Sequence, residues 1–194
     1  MGNAFVLHLI RHAPTAGNVG KAYIGWTDES VLPFEAKVDH NTRLVWGSDL
    51  LRCRQTARLL FPNAHYKANA DWRELNFGDW EKRTYDDLQS NERYRNWIDD
   101  PETIQPPNGE SFQQLAERVD RAIKAFPETG DFTVVTHGGP IRYILSKANG
   151  QQFFSQQAAH AHCYTITWAS KSAYKEGQPC ISYSAEPLTA NARM

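Results

Sequence analysis

Four residues that could bind or attack a phosphoryl group follow predicted strands in this chain. Arg11 and His12 come directly after the apolar run FVLHLI, His137 follows FTVVT, and Arg52 lies shortly after RLVWG, inside a predicted helix. Arginine forks bind phosphoryl oxygens by charge-assisted hydrogen bonds. An imidazole flanked by arginines tends to stay neutral and keeps a lone pair for attack on phosphorus. These residue types therefore predict phosphoryl chemistry.

The segment after FTVVT adds a second feature suited to an anion. His137 is followed by Gly138 and Gly139, and Pro140 is a favourable first-turn residue for a helix that ends near Gly150. A glycine turn before a helix N-terminus presents N–H groups and the positive end of the helix dipole. Gly138 is therefore a candidate phosphate-binding residue.

These residues need a sheet to bring them together. The apolar patterns predict strands at 5–10, 43–47, 132–136, 163–168 and 180–184. The first and third are apolar on both faces, as buried parallel strands are. Because ligands bind beyond the carboxyl ends of strands in open α/β sheets, the polar residues that follow these strands should meet at one edge.

Helices are predicted between the strands. SDLLRCRQTARLLFPN has one apolar stripe, with Ser48 as the expected N-cap and Pro62 just past the end. In SFQQLAERVDRAIKAFP, Ser111 and Gln114 form an expected capping box. Residues 80–108 are predicted to form a helical excursion with an ordered loop. The alternation of strands and helices predicts a three-layer α/β/α fold with a mainly parallel sheet.

Composition narrows the class of protein. The 194 residues suffice for one domain, and the formal net charge of −1 lacks the basic excess that is typical of nucleic-acid binders. The sequence contains no apolar run of membrane-spanning length. The three cysteines have neither zinc-pair nor disulfide-framework spacing. We therefore expect a cytoplasmic protein with a small-molecule partner, no nucleic acid and no membrane.

Five segments in order resemble the histidine phosphatase superfamily, which has the phosphoglycerate mutase-like fold. LIRHAPTAGN resembles its Arg-His-Gly-Glu-Thr/Ser opening, and SDLLRCRQTA its Ser-x-Leu-x-Arg-Ala-x-x-Thr-Ala segment. RELNFGDWE resembles Glu-x-x-Phe-Gly-x-Trp-Glu-Gly, PPNGESF resembles Pro-x-Gly-Glu-Ser, and VVTHGGPIRYIL resembles the second histidine motif. The resemblance covers most of the chain and implies one histidine phosphatase domain over 1–194, with a lid at about 80–108.

The resemblance also implies residue roles. His12 would be the nucleophile that forms a phosphohistidine, and Glu74 would protonate the leaving oxygen and then activate water. The expected phosphoryl-binding residues are Arg11, Arg52, His137, Asn18, Thr15 and Gly138. No cofactor or metal is implied, since cationic side chains would supply the electrostatic stabilisation.

Two of the departures from the family pattern concern the phosphate turn and the cover of the sheet. Ala13-Pro14 replaces Gly-Glu or Gly-Gln, and Pro14 removes an N–H that could face the phosphate. Residues 33–42 are too few for the family's long first helix, so one face of the sheet is expected to be thinly covered and open to a partner.

Several alternatives stay open at this point. Length, RELNFGDWE and PPNGESF most resemble the alpha-ribazole phosphatases, with a broad sugar-phosphate or nucleotide phosphatase and a phosphoglycerate mutase as alternatives. A non-catalytic binding protein on the same fold is a further alternative, favoured by the altered turn alone. Glu81 or Asp79 could replace Glu74 as the acid. His160 and His162 could share a metal, although a surface or hydrogen-bonding role is favoured.

Overall fold

A six-stranded mixed sheet forms the centre of the computed structural model, which describes residues 4–36, 38 and 42–188. The strands in chain order are β1 (Phe5–Arg11), β2 (Leu44–Gly47), β3 (His65–Ala68), β4 (Gly130–Thr136), β5 (His162–Trp168) and β6 (Ser182–Pro187). Their spatial order is β3-β2-β4-β1-β5-β6. The first four pair in parallel, β5 runs antiparallel to β1, and β6 runs antiparallel to β5. The predicted mainly parallel sheet is confirmed.

Seven α-helices connect and cover the strands within the described residues. They are α1 (Ala16–Val19), α2 (Leu51–Leu60), α3 (Tyr85–Leu88), α4 (Glu92–Asp99), α5 (Phe112–Lys124), α6 (Gly138–Asn149) and α7 (Lys171–Lys175). Short 3₁₀ turns occur at Ala70–Trp72, Gly78–Trp80 and Phe153–Ser155. No helix in the described part of the chain is both long enough and apolar enough to cross a membrane.

Two apolar clusters lie on opposite faces of the sheet, because successive strand residues alternate in direction. Leu9 of β1 joins the larger cluster, which includes buried residues of α5, α6 and the region 72–97. Ile10 joins the smaller cluster with α2, β2 and β4. This is the predicted α/β/α layering, and it fixes the strand ends between two helical layers.

The capping pattern was predicted well for α5 and less well for the other two helices. Ser111 and Gln114 form the predicted capping box. The prediction of Ser48 as N-cap of α2 was wrong: Leu50 is the N-cap and lacks a side-chain hydrogen bond. The Ser48 N–H instead donates to Val135 O at 3.1 Å, which continues the sheet. Helix α6 begins at Gly138 rather than Pro140, and it ends before a left-handed Gly150.

Edge strands account for the other differences. The structure contains β3, which the sequence pattern did not predict, because HYKA is largely exposed and lacks apolar alternation. The last strand begins at Ser182 rather than 180, and all six of its residues are exposed. Edge strands bury little, so hydrophobic periodicity does not mark their bounds.

The shortened segment 33–42 lies partly outside the described residues. Phe34, Ala36 and Val38, which are described, pack against the smaller apolar cluster. Described side chains of this segment therefore cover part of that face.

The excursion at 80–108 is well packed. It contains α3 and α4 and buries Trp80, Tyr94 and Trp97. The Trp97 ring lies 5.3 Å from Trp80 and 6.0 Å from Tyr94, centroid to centroid. Aromatic packing of this kind makes the excursion a rigid unit beside the sheet edge.

Candidate active site

The carboxyl ends of three adjacent strands bring the predicted phosphoryl-binding residues together. Strands β2, β4 and β1 are neighbours in the sheet. The His12 N–H donates to Thr136 O at 3.0 Å, so the residue after β1 is tied to the end of β4. His137 follows Thr136 directly, and Arg52 lies in the first turn of α2. The sheet edge thus assembles a group of side chains that are far apart in the sequence.

His12 is almost completely buried, with 2% of its surface exposed. Its Nδ1 lies 2.7 Å from Ala13 O. Because a carbonyl oxygen can only accept, Nδ1 carries the proton and Nε2 keeps a lone pair. The rings of His137 and His160 stand nearly edge-on to the His12 ring, at centroid distances of 5.0 and 5.1 Å. His12 therefore has a fixed tautomer and a tightly bounded orientation.

The charge state of His12 follows from the same surroundings. Burial is the main cause that holds its pKa well below the ordinary histidine value, and the positive charges of Arg52 and Arg11 lower it further. A neutral imidazole is the form that can attack phosphorus.

The Ala13-Pro14 turn is accommodated without strain. Neither residue has a positive φ, so the position does not require glycine. The Ala13 N–H donates to Thr56 Oγ1 at 3.0 Å, and Pro14 O accepts from Leu32 N at 2.9 Å. This turn is therefore tied to the protein, and its backbone N–H groups are not available to a phosphate.

Arg52 is fully buried, and its guanidinium donates to protein acceptors on every side. Nη1 donates to Thr27 O at 2.8 Å, and Nη2 donates to Gly25 O at 2.6 Å. Nε donates to His137 Nδ1 at 3.2 Å. Arg52 therefore joins α2, the loop 24–27 and the second histidine.

His137 is neutral in this arrangement. Since the arginine Nε can only donate, His137 Nδ1 accepts and Nε2 carries the proton. Nε2 lies 3.4 Å from Cys53 Sγ, which can accept that proton as a weak hydrogen bond. Burial, followed by Arg52, lowers the pKa of His137 well below its usual value.

Arg11 keeps donor capacity that Arg52 lacks. One Nη1 hydrogen bond goes to Ala158 O, while the buried Nε has no hydrogen-bond partner among the described residues. Burial lowers the pKa of Arg11 to about 10, which leaves it charged at neutral pH. Arg11 is therefore available to an anion on one side.

Glu74 is buried beside the N-terminus of α6. Its Oε1 accepts from Leu75 N at 2.9 Å and from Gly139 N at 2.8 Å. A Cβ at Gly139 would lie 2.3 Å from Oε1, so only glycine permits this approach. The sequence suggested a free helix N-terminus for phosphate, whereas the Glu74 carboxylate already accepts one of its N–H groups. Gly138 is nearby, and a Cβ there would lie 3.3 Å from Arg11 Cζ.

The two other candidate acids are placed differently. Glu81 accepts four backbone N–H groups, from Gly25, Trp26, Thr27 and Phe77, at 2.9 to 3.1 Å. Its carboxylate holds the loop that supplies carbonyls to Arg52. Asp79 pairs with the exposed Asn108 side chain. Neither residue lines the cavity described below, whereas Glu74 does.

Thr15 and Asn18 cap a helix next to the site. Thr15 is the N-cap of α1, and the two side chains form a capping box. Asn18 Oδ1 accepts from the Thr15 N–H and from its hydroxyl, at 3.1 and 3.0 Å. The Asn18 amide nitrogen is thus the group left for a ligand, and Asn18 lines the cavity.

A cavity of about 180 Å³ opens above these residues. Its polar lining includes Arg11, Glu74 and Arg142, and its aromatic lining consists of Tyr23, Phe77, Trp97, Phe153 and Phe154. His12, Arg52 and His137 are buried and are not among its lining residues. The volume is below the roughly 300–1,000 Å³ of typical ligand pockets, so a larger ligand would extend into solvent.

Three residues near the site were not predicted as site residues, although a hydrogen-bonding role was favoured for His160. His160 Nδ1 donates to His12 O at 3.2 Å, and burial lowers the pKa of His160 to about 4. It faces His12 and does not share a site with His162, whose Nδ1 contacts His160 O. Cys53 and Arg142 are the others. Arg142 could have been noticed as a charge within the apolar run GGPIRYIL; His160 and Cys53 depend on long-range contacts. Within the described residues, no group of three or more His, Cys, Asp or Glu is arranged to hold a metal ion.

Comparison with known proteins decides the family. The sequence profile of the histidine phosphatase superfamily (branch 1) matches residues 34–178. The chain belongs to the histidine phosphatase superfamily. The adenosylcobalamin/alpha-ribazole phosphatase of Salmonella typhimurium is 31% identical to this histidine phosphatase over an alignment of 157 residues, and the alignment covers 73% of this chain and 78% of the relative. The chain is therefore a phosphatase.

Solved structures agree with this assignment of the fold. A phosphoglycerate mutase from Thermus thermophilus superposes on this phosphatase with a TM-score of 0.74 at 25% identity, covering 94% of this chain and 99% of the other. The alpha-ribazole phosphatase from Shigella flexneri gives 0.75 at 24% identity, covering 96% of each chain. The predicted phosphoglycerate mutase-like fold is confirmed.

Proposed function

We propose that this phosphatase hydrolyses a small phosphate monoester through a phosphohistidine on His12, and that alpha-ribazole 5'-phosphate is its substrate. The hydrogen bond from His12 Nδ1 to Ala13 O carries the proposal, because it leaves Nε2 with the lone pair that a nucleophile needs. The depressed pKa of His12 supports it, since the imidazole stays neutral at neutral pH.

In the first step, His12 Nε2 attacks phosphorus and the ester P–O bond breaks. Glu74 begins protonated and gives its proton to the leaving oxygen. Its Oε1 accepts two backbone N–H groups, which leaves Oε2 as the oxygen that carries the proton. Stabilisation of the transferring phosphoryl group is assigned to Arg11, Arg52, His137, Asn18, Thr15 and Gly138. Arg52 and His137 would exchange a present partner for a phosphoryl oxygen.

In the second step, the Glu74 carboxylate takes a proton from water as the water oxygen attacks phosphorus. The P–N bond breaks, inorganic phosphate leaves, and His12 returns to its neutral form. Glu74 regains its proton for the next cycle.

The substrate assignment rests on the aromatic part of the cavity. Five aromatic side chains line it beside the Arg11 and Glu74 end, and flat aromatic walls favour a planar ring in the leaving group. Trp97 belongs to the excursion 80–108, which we propose covers the bound substrate. The Salmonella relative is named for alpha-ribazole among its substrates, and this supports the same class here.

Phosphate release by the purified protein tests the substrate. We expect the highest kcat/KM on alpha-ribazole 5'-phosphate, compared with ribose 5-phosphate, p-nitrophenyl phosphate, and 3-phosphoglycerate with its bisphosphate. A clear preference for 3-phosphoglycerate, with transfer of the phosphoryl group between its hydroxyl oxygens, would indicate a mutase instead. No release from any ester would indicate a binding protein.

Trapping of the phosphoenzyme tests the chemistry. His12→Ala should abolish turnover, and rapid quench of the wild type should yield an acid-labile, base-stable label. Treatment with a strong chelator should leave the rate unchanged. A label on Ser48 or Cys53, or a loss restored by magnesium or zinc, would contradict this mechanism.

A further inference from the structure

Arg142 lines the cavity without a partner that would explain its position. Its Nε is buried and has no hydrogen-bond partner among residues 4–36, 38 and 42–188. None of the ion pairs between described residues includes it. The buried Arg118, in contrast, donates to both carboxylate oxygens of Glu110. A buried donor nitrogen that has no hydrogen-bond partner is costly to the folded state.

The neighbouring charges do not compensate Arg142. Arg11 lies close enough for the two positive charges to repel, which lowers the pKa of Arg11 further. The one carboxylate in the cavity lining, Glu74, already accepts two backbone N–H groups. The cavity therefore holds more positive charge and more donors than its own acceptors satisfy.

The helix geometry separates Arg142 from the phosphoryl end. Arg142 lies four residues after Gly138 in α6, which places it about 6 Å further along the helix axis. At the helix N-terminus the Gly139 N–H donates to Glu74 Oε1, and Gly138 lies beside Arg11. Arg142 instead shares the cavity with aromatic residues such as Tyr23 and Phe153. Its donors are thus set on the side where the proposed leaving group would lie.

We propose that Arg142 is a specificity-determining residue that donates to an oxygen acceptor on the leaving group of the substrate. The proposal rests on the phosphomonoesterase function given above. Hydroxyl and carboxylate oxygens share this chemistry, and both would satisfy the buried donor. The aromatic residues hold the ring of the leaving group, and Arg142 selects the leaving groups that carry an oxygen within reach.

Steady-state kinetics with three esters test this. Phenyl phosphate has no oxygen beyond the ester, ribose 5-phosphate has hydroxyls, and 3-phosphoglycerate has a carboxylate. The readout is the ratio of kcat/KM for each oxygen-bearing ester to that for phenyl phosphate. We expect Arg142→Gln to lower one of these ratios about 10- to 100-fold. A fall for ribose 5-phosphate identifies hydroxyl recognition, and a fall for 3-phosphoglycerate identifies carboxylate recognition.

The matched control is Lys147→Gln, which removes a positive charge from the same helix. Lys147 pairs with Asp120 and does not line the cavity, so the ratios should not change. Unchanged ratios in Arg142→Gln, or the same change in both variants, would overturn the proposal.

A binding measurement separates this proposal from the proposed function. In the His12→Ala background, ribose 5-phosphate and 3-phosphoglycerate should each be compared with phenyl phosphate by the shift in Tm. Adding Arg142→Gln should remove the extra shift given by the oxygen-bearing ligand. If the wild type shows no turnover but Arg142→Gln still removes the extra Tm shift, the phosphatase mechanism alone is contradicted. Extra shifts that survive Arg142→Gln would contradict the role of Arg142.

Discussion

Two arginine environments lie close to Glu74, and they differ in how far their donors are satisfied. Arg118 donates to Glu110 with two nitrogens, and it also donates to Arg73 O at 2.6 Å and Glu74 O at 3.0 Å. In the cavity, Arg11 and Arg142 each keep a buried Nε without a partner in the described part of the chain. Arginine therefore stabilises the backbone in one region and keeps unsatisfied donors in the other.

This difference indicates a structural role for Arg118 and a ligand-directed role for Arg11 and Arg142. A guanidinium whose donors all reach protein acceptors stabilises the conformation that supplies those acceptors. One that is desolvated without them carries a cost that a ligand can remove. The hydrogen bonds distinguish the two groups.

The largest effect is expected at the proposed acid Glu74, whose backbone carbonyl accepts a hydrogen bond from Arg118. Glu74→Gln should lower the rate on an alkyl phosphate about 10²- to 10⁴-fold, because an alkoxide needs a proton in the transition state. On p-nitrophenyl phosphate, the first chemical step should lose much less, since nitrophenolate leaves without one. Single-turnover kinetics give the comparison, with a burst of nitrophenol followed by slow turnover as the signature. Equal losses on both esters would mean that Glu74 is not the acid.

A smaller effect, on stability, tests the two arginine environments directly. Arg118→Gln should lower the free energy of unfolding by about 3–5 kcal/mol, because it leaves the Glu110 carboxylate buried and unpaired. Arg142→Gln should cost less than about 1 kcal/mol, since no protein partner loses a hydrogen bond. Urea denaturation of both variants under identical conditions measures this. Comparable losses would contradict the distinction drawn between the two regions.

The smallest effect concerns His160 and depends on pH. Its pKa is lowered to about 4 in the folded protein, mainly by burial and then by Arg11, against about 6.5 when unfolded. Between these values the unfolded chain binds a proton that the folded chain does not, so stability falls as the pH falls. The slope from this group is at most about 1.4 kcal/mol per pH unit.

His160→Gln should remove that part of the slope and leave the part due to His12 and His137. Unfolding free energies measured between pH 4 and 7 for wild type and variant provide the check. Identical slopes would show that His160 does not titrate in this range.

The sequence predicted the sheet better at its centre than at its edges. Strands β1 and β4 are apolar on both faces because helices cover both, and this pattern is visible in the residues. Strand β3 has no such cover and therefore no such pattern. The sequence predicted that Arg11, His12, Arg52 and His137 lie close together, because each follows a predicted strand. His160 and Cys53 approach the site from positions that local patterns do not mark.

The hydrogen bond between His12 Nδ1 and Ala13 O also predicts the regiochemistry of a phosphoenzyme. Histidine forms two phosphoramidate isomers, one on each ring nitrogen, and they differ in chemical stability and in antibody recognition. With Nδ1 tied to the backbone at 2.7 Å, only Nε2 has a lone pair to offer. A phosphoenzyme formed on His12 would thus be a single positional isomer, the Nε2 form. Antibodies specific for that isomer would identify it in the intact protein without radioactive substrate.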